Sequence, residues 1–282
     1  MADDLLLQLA LGTCLIAAAI AAGGALLPAG RRLSTASGSD QSLDDRSPMF
    51  EWVAALPLAL LAVAMAVRGL ETGRAPLANL HEVVTALAAT LLALHLVYTR
   101  HVPGLTVVAT SLAAALTFLA LRLPVPPEPL VPALQAPLLL PIHVGSAVVA
   151  YAAATVASIA AGAELLVTAL GPERSRRLPS ARRLRAITHR AVLVALPLLT
   201  AAIALGSLWA NLAWRSYWSN DPKELSAAAT WLVLAAYLHA EGRRDRWGRA
   251  APWLAVIGFG AVLFTLVGAS LLFGGQHSYA QV

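Results

Sequence analysis

Apolar residues run along this chain in long unbroken blocks, without the two-residue alternation of a half-buried strand. Eight blocks reach roughly the 17–25 residues that a bilayer-spanning helix requires. They cover about 5–27, 50–68, 80–98, 104–122, 143–170, 190–208, 226–241 and 251–273. The fifth is longer than a bilayer needs, so it should tilt or project. Short polar segments separate the blocks. Residues 30–48 are rich in Ser, Asp and Arg and read as a loop. Residues 123–141 carry Pro124, Pro126, Pro127, Pro129, Pro132, Pro137 and Pro141, so they cannot be helical throughout. The pattern predicts an all-α, polytopic integral membrane protein with about eight transmembrane helices. No internal repeat is visible.

Composition supports this reading. The chain is 59% hydrophobic and 12% charged, against about 25% charged in soluble domains. Its net charge of +5 does not point to nucleic acid, because the basic residues sit in short loops. All of them but Arg68, Arg74, Arg122, Arg215 and Lys223 fall in alternate loops, on one side of the predicted membrane. The positive-inside rule makes that side cytoplasmic. Both termini, and segments 69–79, 123–142, 209–225 and 274–282, are then extracytoplasmic. The start, MADD, is acidic and lacks the basic region of a signal peptide. Cys14 stands alone, so there is no disulfide framework, CxxC pair or CxxCH haem-attachment motif.

The stretch GSLWANLAWRSYWSNDPKELSAAATWLVLAAYLH, Gly206–His239, carries the most chemistry. Trp209, Trp214 and Trp218 are followed at once by Asp221, Pro222, Lys223 and Glu224. A Trp-rich polar turn between apolar helices suggests a flat aromatic platform edged with charge, suited to a large planar ligand with acidic groups. Haem is such a ligand. The residue types also admit plainer roles. Clustered tryptophans at an interface form aromatic belts. Asp221-Pro222 is a good N-cap and first turn. Glu164 has the position to pair with a loop arginine.

The histidines fall in a suggestive order. His143 opens the fifth span and His277 follows the last, both on the face of the Trp-rich turn. Two neutral imidazoles on opposite faces of a ring make a bis-His haem site. His239 lies about 13 residues into the seventh span, roughly 20 Å below that face at 1.5 Å per residue. An intramembrane ionisable residue is a functional candidate; His239 would serve a second, deeper site, with His95 at similar depth. His81 lies near the outer end of the third span, and His189 near the cytoplasmic surface.

These residues carry a family resemblance. Trp209-Ala210-Asn211, Trp214, Ser216-Tyr217-Trp218 and Asp221-Pro222-Lys223-Glu224 resemble the tryptophan-rich "WWD" domain of CcsA (ResC) type cytochrome c biogenesis proteins. So does Thr230-Trp231-Leu232 running to Tyr237-Leu238-His239. VPALQAPLLLPIHV, with His143, resembles the segment before the family's first external histidine. The ending GGQHSY resembles the family's GLHSY, and LANLHEVV at 77–84 its NLYES, with His81 in place of Tyr. The pattern departs at Asn220, where the family usually has a second Trp, and at Leu212 and Arg215, where it often has Glu and Gly.

The resemblance implies two regions: N-terminal helices with a cytoplasmic loop over 1–76, and a haem-handling assembly domain over 77–282 with its WWD-like loop at 206–225. It implies a multi-pass protein of the plasma (inner) or a thylakoid-type membrane. Haem b would be cargo, held outside by His143 and His277 on the Trp-rich loop, with His239 at an inner site. Asp221 would order the loop, while Arg215 and Lys223 are candidates to meet the propionates. The partners implied are haem, a CcsB/ResB-type membrane subunit that completes the inner site, and apocytochrome c with its CxxCH cysteines; no nucleic acid is expected. The chain would then be a subunit of a System II holocytochrome c synthetase (haem lyase). A haem-binding or haem-export subunit of HemX-like or CcmC-like type, without ligase activity, would use the same histidines. A secondary transporter predicts broken helices and midplane polar groups, whereas these spans are mostly unbroken and apolar.

Overall fold

Each apolar block folds as a helix in the computed structural model, which describes residues 2–26, 52–123, 138–175, 178–273 and 275. The expectations for loop 30–48, most of the proline run, and His277 lie outside the described residues. The helices are α1 (Ala2–Leu26), α2 (Ala55–Thr72), α3 (Leu80–Tyr98), α4 (Pro103–Arg122), α5 (Leu139–Arg174), α6 (Ala181–Trp214) and α7 (Pro222–Gly242). A short α8 (Arg244–Trp247) leads to α9 (Ala251–Leu263). A π-helical turn, Phe264–Gly268, and α10 (Ala269–Leu272) continue α9. There is no strand among the described residues.

Seven of these helices are long and apolar enough to cross a membrane. The predicted seventh span, α7, is helical over 21 residues but falls short in hydropathy. Lys223, Glu224, His239 and Glu241 sit near its ends, and it packs against α6 and α9.

Sequence signals set the helix ends. Asn79 caps α3 by accepting from the Glu82 N–H at 2.9 Å. Ser180 caps α6. Asp221 and Glu224 form a reciprocal capping box at the start of α7. Within the spans, threonine hydroxyls donate to the carbonyl four residues back, as at Thr110 and Thr117. That satisfies them where no water is available.

The core runs along α5, whose Ala152, Ala153, Ala154, Ala157, Ala160 and Ala161 are all almost fully buried. Small side chains let helix backbones approach closely, which drives helix association in lipid. The most extensive packing is between α5 and α6; α3 and α9 close on other sides of α5. The helices α1, α2 and α4 attach through α3 and one another.

Two buried carboxylates tie the ends of the bundle. Glu82 accepts from Arg68 Nε at 3.1 Å, from Arg74 at 2.8 and 2.9 Å, and from the Ala78 N–H at 2.9 Å. This pins segment 74–79 to the start of α3. At the other end Glu164 of α5 accepts from Arg185 at 3.0 and 3.1 Å and from Arg244 at 3.2 Å. Glu164 is thus the partner of loop-side arginines.

Replacing Glu82 with Gln leaves two arginines partly buried beside a neutral group. Such a broken pair costs about 3 kcal/mol. Thermal unfolding in detergent should show a clear fall in Tm for Glu82→Gln and little change for the exposed Glu71→Gln. Equal midpoints would show that the arginines do not depend on Glu82.

Candidate functional site

The Trp-rich segment begins inside α6. Trp209 and Trp214 lie on its last turns, and the loop proper runs from Arg215 to Asp221. Trp209 is buried and stacks near-parallel to the His143 ring, 12° between planes and 6.3 Å between centroids. Trp214 meets Trp209 edge-on, at 79° and 4.9 Å, the arrangement favoured by the charge distribution of aromatic rings. Trp218 is largely exposed, and its indole N–H donates to Asn220 Oδ1 at 2.9 Å. The three indoles therefore do not form one plane. Two are packed supports and the third lines the open side.

His143 lies near the start of α5, against α6. Its Nδ1 is 2.8 Å from the Ala202 carbonyl oxygen. A carbonyl only accepts, so Nδ1 carries the proton and Nε2 the lone pair. This is the arrangement of a metal-binding histidine oriented by a backbone partner. The ring reaches that carbonyl across Gly206. A Cβ there would lie 2.6 Å from His143 Cε1 and 3.0 Å from Nδ1. Gly206 is therefore a site of close approach rather than a flexible joint.

His143, Trp209 and Trp218 share the wall of a cavity of about 200 Å³. Six segments meet there: the start of α3 at Leu77–Leu80, α5, the end of α6, the loop at Tyr217 and Trp218, the start of α7 and the π turn. The wall is mostly apolar, as expected for a site taking a large apolar ligand. Tyr151 and Thr265 lie in the part of the wall farthest along α5 from His143, and Thr265 meets Thr230 at 3.2 Å. The wider π turn brings Thr265 and Leu266 to the wall; such turns recur at functional sites.

The loop is held by its own polar groups. Glu224 accepts from the Ser219 N–H at 2.8 Å, from the Ser219 hydroxyl and from the Asp221 N–H at 3.2 Å. Asp221 is buried and accepts from the Lys223 N–H at 2.9 Å. It is the N-cap residue of α7. Gly275, beyond α10, packs so closely on Asp221 and Pro222 that a Cβ there would overlap the carboxylate. Lys223 lines the cavity and is half-buried. Loss of water pulls its ammonium below the ordinary lysine range, while the charge of Asp221 opposes the shift. Arg215 is exposed and outside the cavity wall.

The remaining histidines are elsewhere. His239 lies in the last turn of α7 and is exposed on the outside of the bundle. It stands 17 residues beyond the start of the helix, about 26 Å along the axis. His95 is fully enclosed, with Nδ1 2.5 Å from Thr99 Oγ1. It faces the interior while His239 faces outward, and neither lines the cavity. His81 is buried, with Nδ1 2.9 Å from the Ala120 carbonyl, and ties α3 to α4. His189 lies beside Tyr237, 6.5 Å between ring centroids.

Sequence reasoning missed Gly206, the Ala202 carbonyl and the Tyr151–Thr265 floor. Gly206 had one available signal: an isolated glycine inside a helix marks close backbone approach or a packing need. The carbonyl and the floor depend on helix register and left none.

Comparison with known proteins places the chain in a family. The family described as "Cytochrome C assembly protein" matches residues 77–277, a range that begins at the first cavity-lining residue. A protein named cytochrome c biogenesis protein CcsA from Microcystis aeruginosa is 35% identical over 274 residues, covering 78% of this chain and 83% of that protein. The protein of the same name from Synechococcus elongatus is also 35% identical, with the same coverage. That from Thermosynechococcus vestitus is 36% identical over 262 residues, covering 76% and 82%. With the match spanning the helices that build the cavity, this chain belongs to the cytochrome c assembly protein family and is of its CcsA type.

Proposed function

We propose that the chain holds haem b at the Trp-rich end of the bundle and presents it for covalent attachment to apocytochrome c. The observation that carries this is His143. Its protonated Nδ1 is fixed by a backbone carbonyl, so Nε2 is the lone-pair nitrogen, in a mostly apolar cavity backed by Trp209. These residues fit a haem iron and ring. The second axial ligand in this reading is His277, two residues along the chain from Gly275, which packs against the start of α7. Trp218 covers the open side, and Asp221 holds the loop in shape.

Haem supplies vinyl groups to which the cysteine thiols of a CxxCH segment add as thioethers. The part of this chain is positioning, which is a large share of such catalysis. The imidazole fixes the iron and tunes its redox state, while the aromatic wall limits water. On this reading one axial histidine yields to the CxxCH histidine during release. His239 serves a second, inner haem site. Its exposure on the outside of the bundle suits a site completed by another subunit, of CcsB/ResB type. The charge asymmetry of the loops supports an extracytoplasmic Trp-rich end. The chain is then one subunit of a System II synthetase.

The visible spectrum of the full chain, purified with its co-expressed partner, tests the ligands. The native protein should show low-spin haem. His143→Ala and His277→Ala should each lose or alter it, and added imidazole should restore part of it. Preparations without haem in every case would reject the ligand assignment. Bound haem with no cytochrome maturation would favour a binding or export subunit without ligase activity.

Gly206→Ala isolates the geometry of His143. In an unhindered helix the change would stabilise by about 0.5–1 kcal/mol. Here the added methyl displaces the imidazole, so the low-spin signal should weaken or vanish while helix content is kept. An unaltered spectrum would show that the ring does not need its place over Gly206.

A further inference from the structure

Lys223 is the one amino-acid cation among the described residues that line the cavity. The nearby carboxylates are occupied. Asp221 Oδ1 accepts from the backbone N–H of Lys223 itself, and Gly275 packs against the other oxygen. Glu224 accepts from Ser219 and from the Asp221 N–H. Lys223 Nζ forms no ion pair among the described residues; Asp221 acts on it only through its charge. A half-buried ammonium at the edge of an apolar cavity is costly unless an anion joins it.

We propose that Lys223 receives a carboxylate of the bound ligand, and so fixes which edge of a planar dicarboxylate faces the start of α7. This rests on the haem reading above and adds the in-plane orientation of the ring. His143 comes from the wall formed by α5, and Lys223 from the wall formed by α7. One holds the centre of the ring and the other its acidic edge. Two fixed points on different helices remove the rotation about the iron axis that a single imidazole permits. Stereospecific addition to particular vinyls requires that constraint. Arg215 does not share the role, because it is exposed and off the cavity wall.

The titratable groups that share the wall or loop with Lys223 are His143 and Tyr151 from α5, Tyr217 and Asp221 from the loop, and Glu224 on its own helix. Thr265 of the π turn brings no charge. Asp221 and Glu224 repel a carboxylate ligand and not its ester, but both are unchanged in Lys223→Gln, so the change in the ratio of the two affinities between native protein and variant reports the Lys223 contact. Burial lowers the point at which Lys223 loses its proton. The preference for the acid should therefore be full at about pH 7 and fade as pH rises, before the ordinary lysine range is reached.

The test titrates haem b and haem b dimethyl ester into the full chain, purified with its partner and stripped of haem. The native protein should prefer the acid on the order of tenfold relative to Lys223→Gln, the expected size of one charge-assisted contact. Lys223→Arg should keep the preference. The ester needs no substitution, so even if a variant folds poorly, a native protein that shows no preference for the acid overturns the contact. Equal ratios in the native and Lys223→Gln proteins, both with normal low-spin spectra, would overturn the Lys223 assignment and leave the haem reading standing. A native protein that binds neither compound would reject both.

Discussion

The close approach of α5 and α6 is the contact on which the site depends. Alanines along α5 bring the two helices together through the core. Gly206 extends that contact to the Trp-rich end, where a larger residue would meet the His143 ring. Only at this separation does Nδ1 reach the Ala202 carbonyl. The hydrogen bond fixes both the tautomer and the plane of the imidazole, and Trp209, about two turns beyond Ala202 along α6, lies nearly parallel to it. The chemistry available to His143 follows from helix packing.

A second requirement comes from charge. Ionised groups in a membrane protein must find partners within the chain. Glu82 does so with Arg68, Arg74 and the Ala78 N–H, and in consequence holds Leu77–Leu80 as one wall of the cavity. Glu164 does so with Arg185 and Arg244, far from the cavity. The capping box at Asp221 satisfies the first turn of α7 and fixes the other wall. Glu82 and the capping box thus frame the site, and the Lys223 ammonium remains outside these networks.

Much of the fold was legible because its signals are local. Span positions follow from hydropathy, and the start of α7 from Asp221-Pro222 as cap and first turn. The pairing of Glu164 with arginines was readable from charge and position. The arrangement of the tryptophans was not. Three indoles in ten residues suggest a platform, but the helix extends to Trp214, and edge-to-face packing turns that ring against Trp209. The π turn was equally hidden, since it depends on how α9 seats against α7 and α5. Residue count along α7 sets His239 apart from the Trp-rich end, while its outward face depended on a helix rotation that the weakly amphipathic sequence does not set.

The departures from the family pattern acquire a physical meaning in the loop. Arg215 and Asn220 are the two non-glycine residues with left-handed backbone among the described residues, at φ 61° and 58°. Position 215 ends α6, where glycine is favoured because it has no Cβ, and arginine bears a conformational cost there. Asn220 is different. Asparagine enters this region more readily than most residues, and its side chain accepts from the Trp218 indole. An indole at 220 would remove that acceptor and would have to bear the same φ. The loop can therefore trade one aromatic ring for a hydrogen bond that steadies another. Trp218 then becomes the exposed ring whose orientation this chain controls, and Asn220 reads as a change in how the cavity is covered rather than as loss of the site.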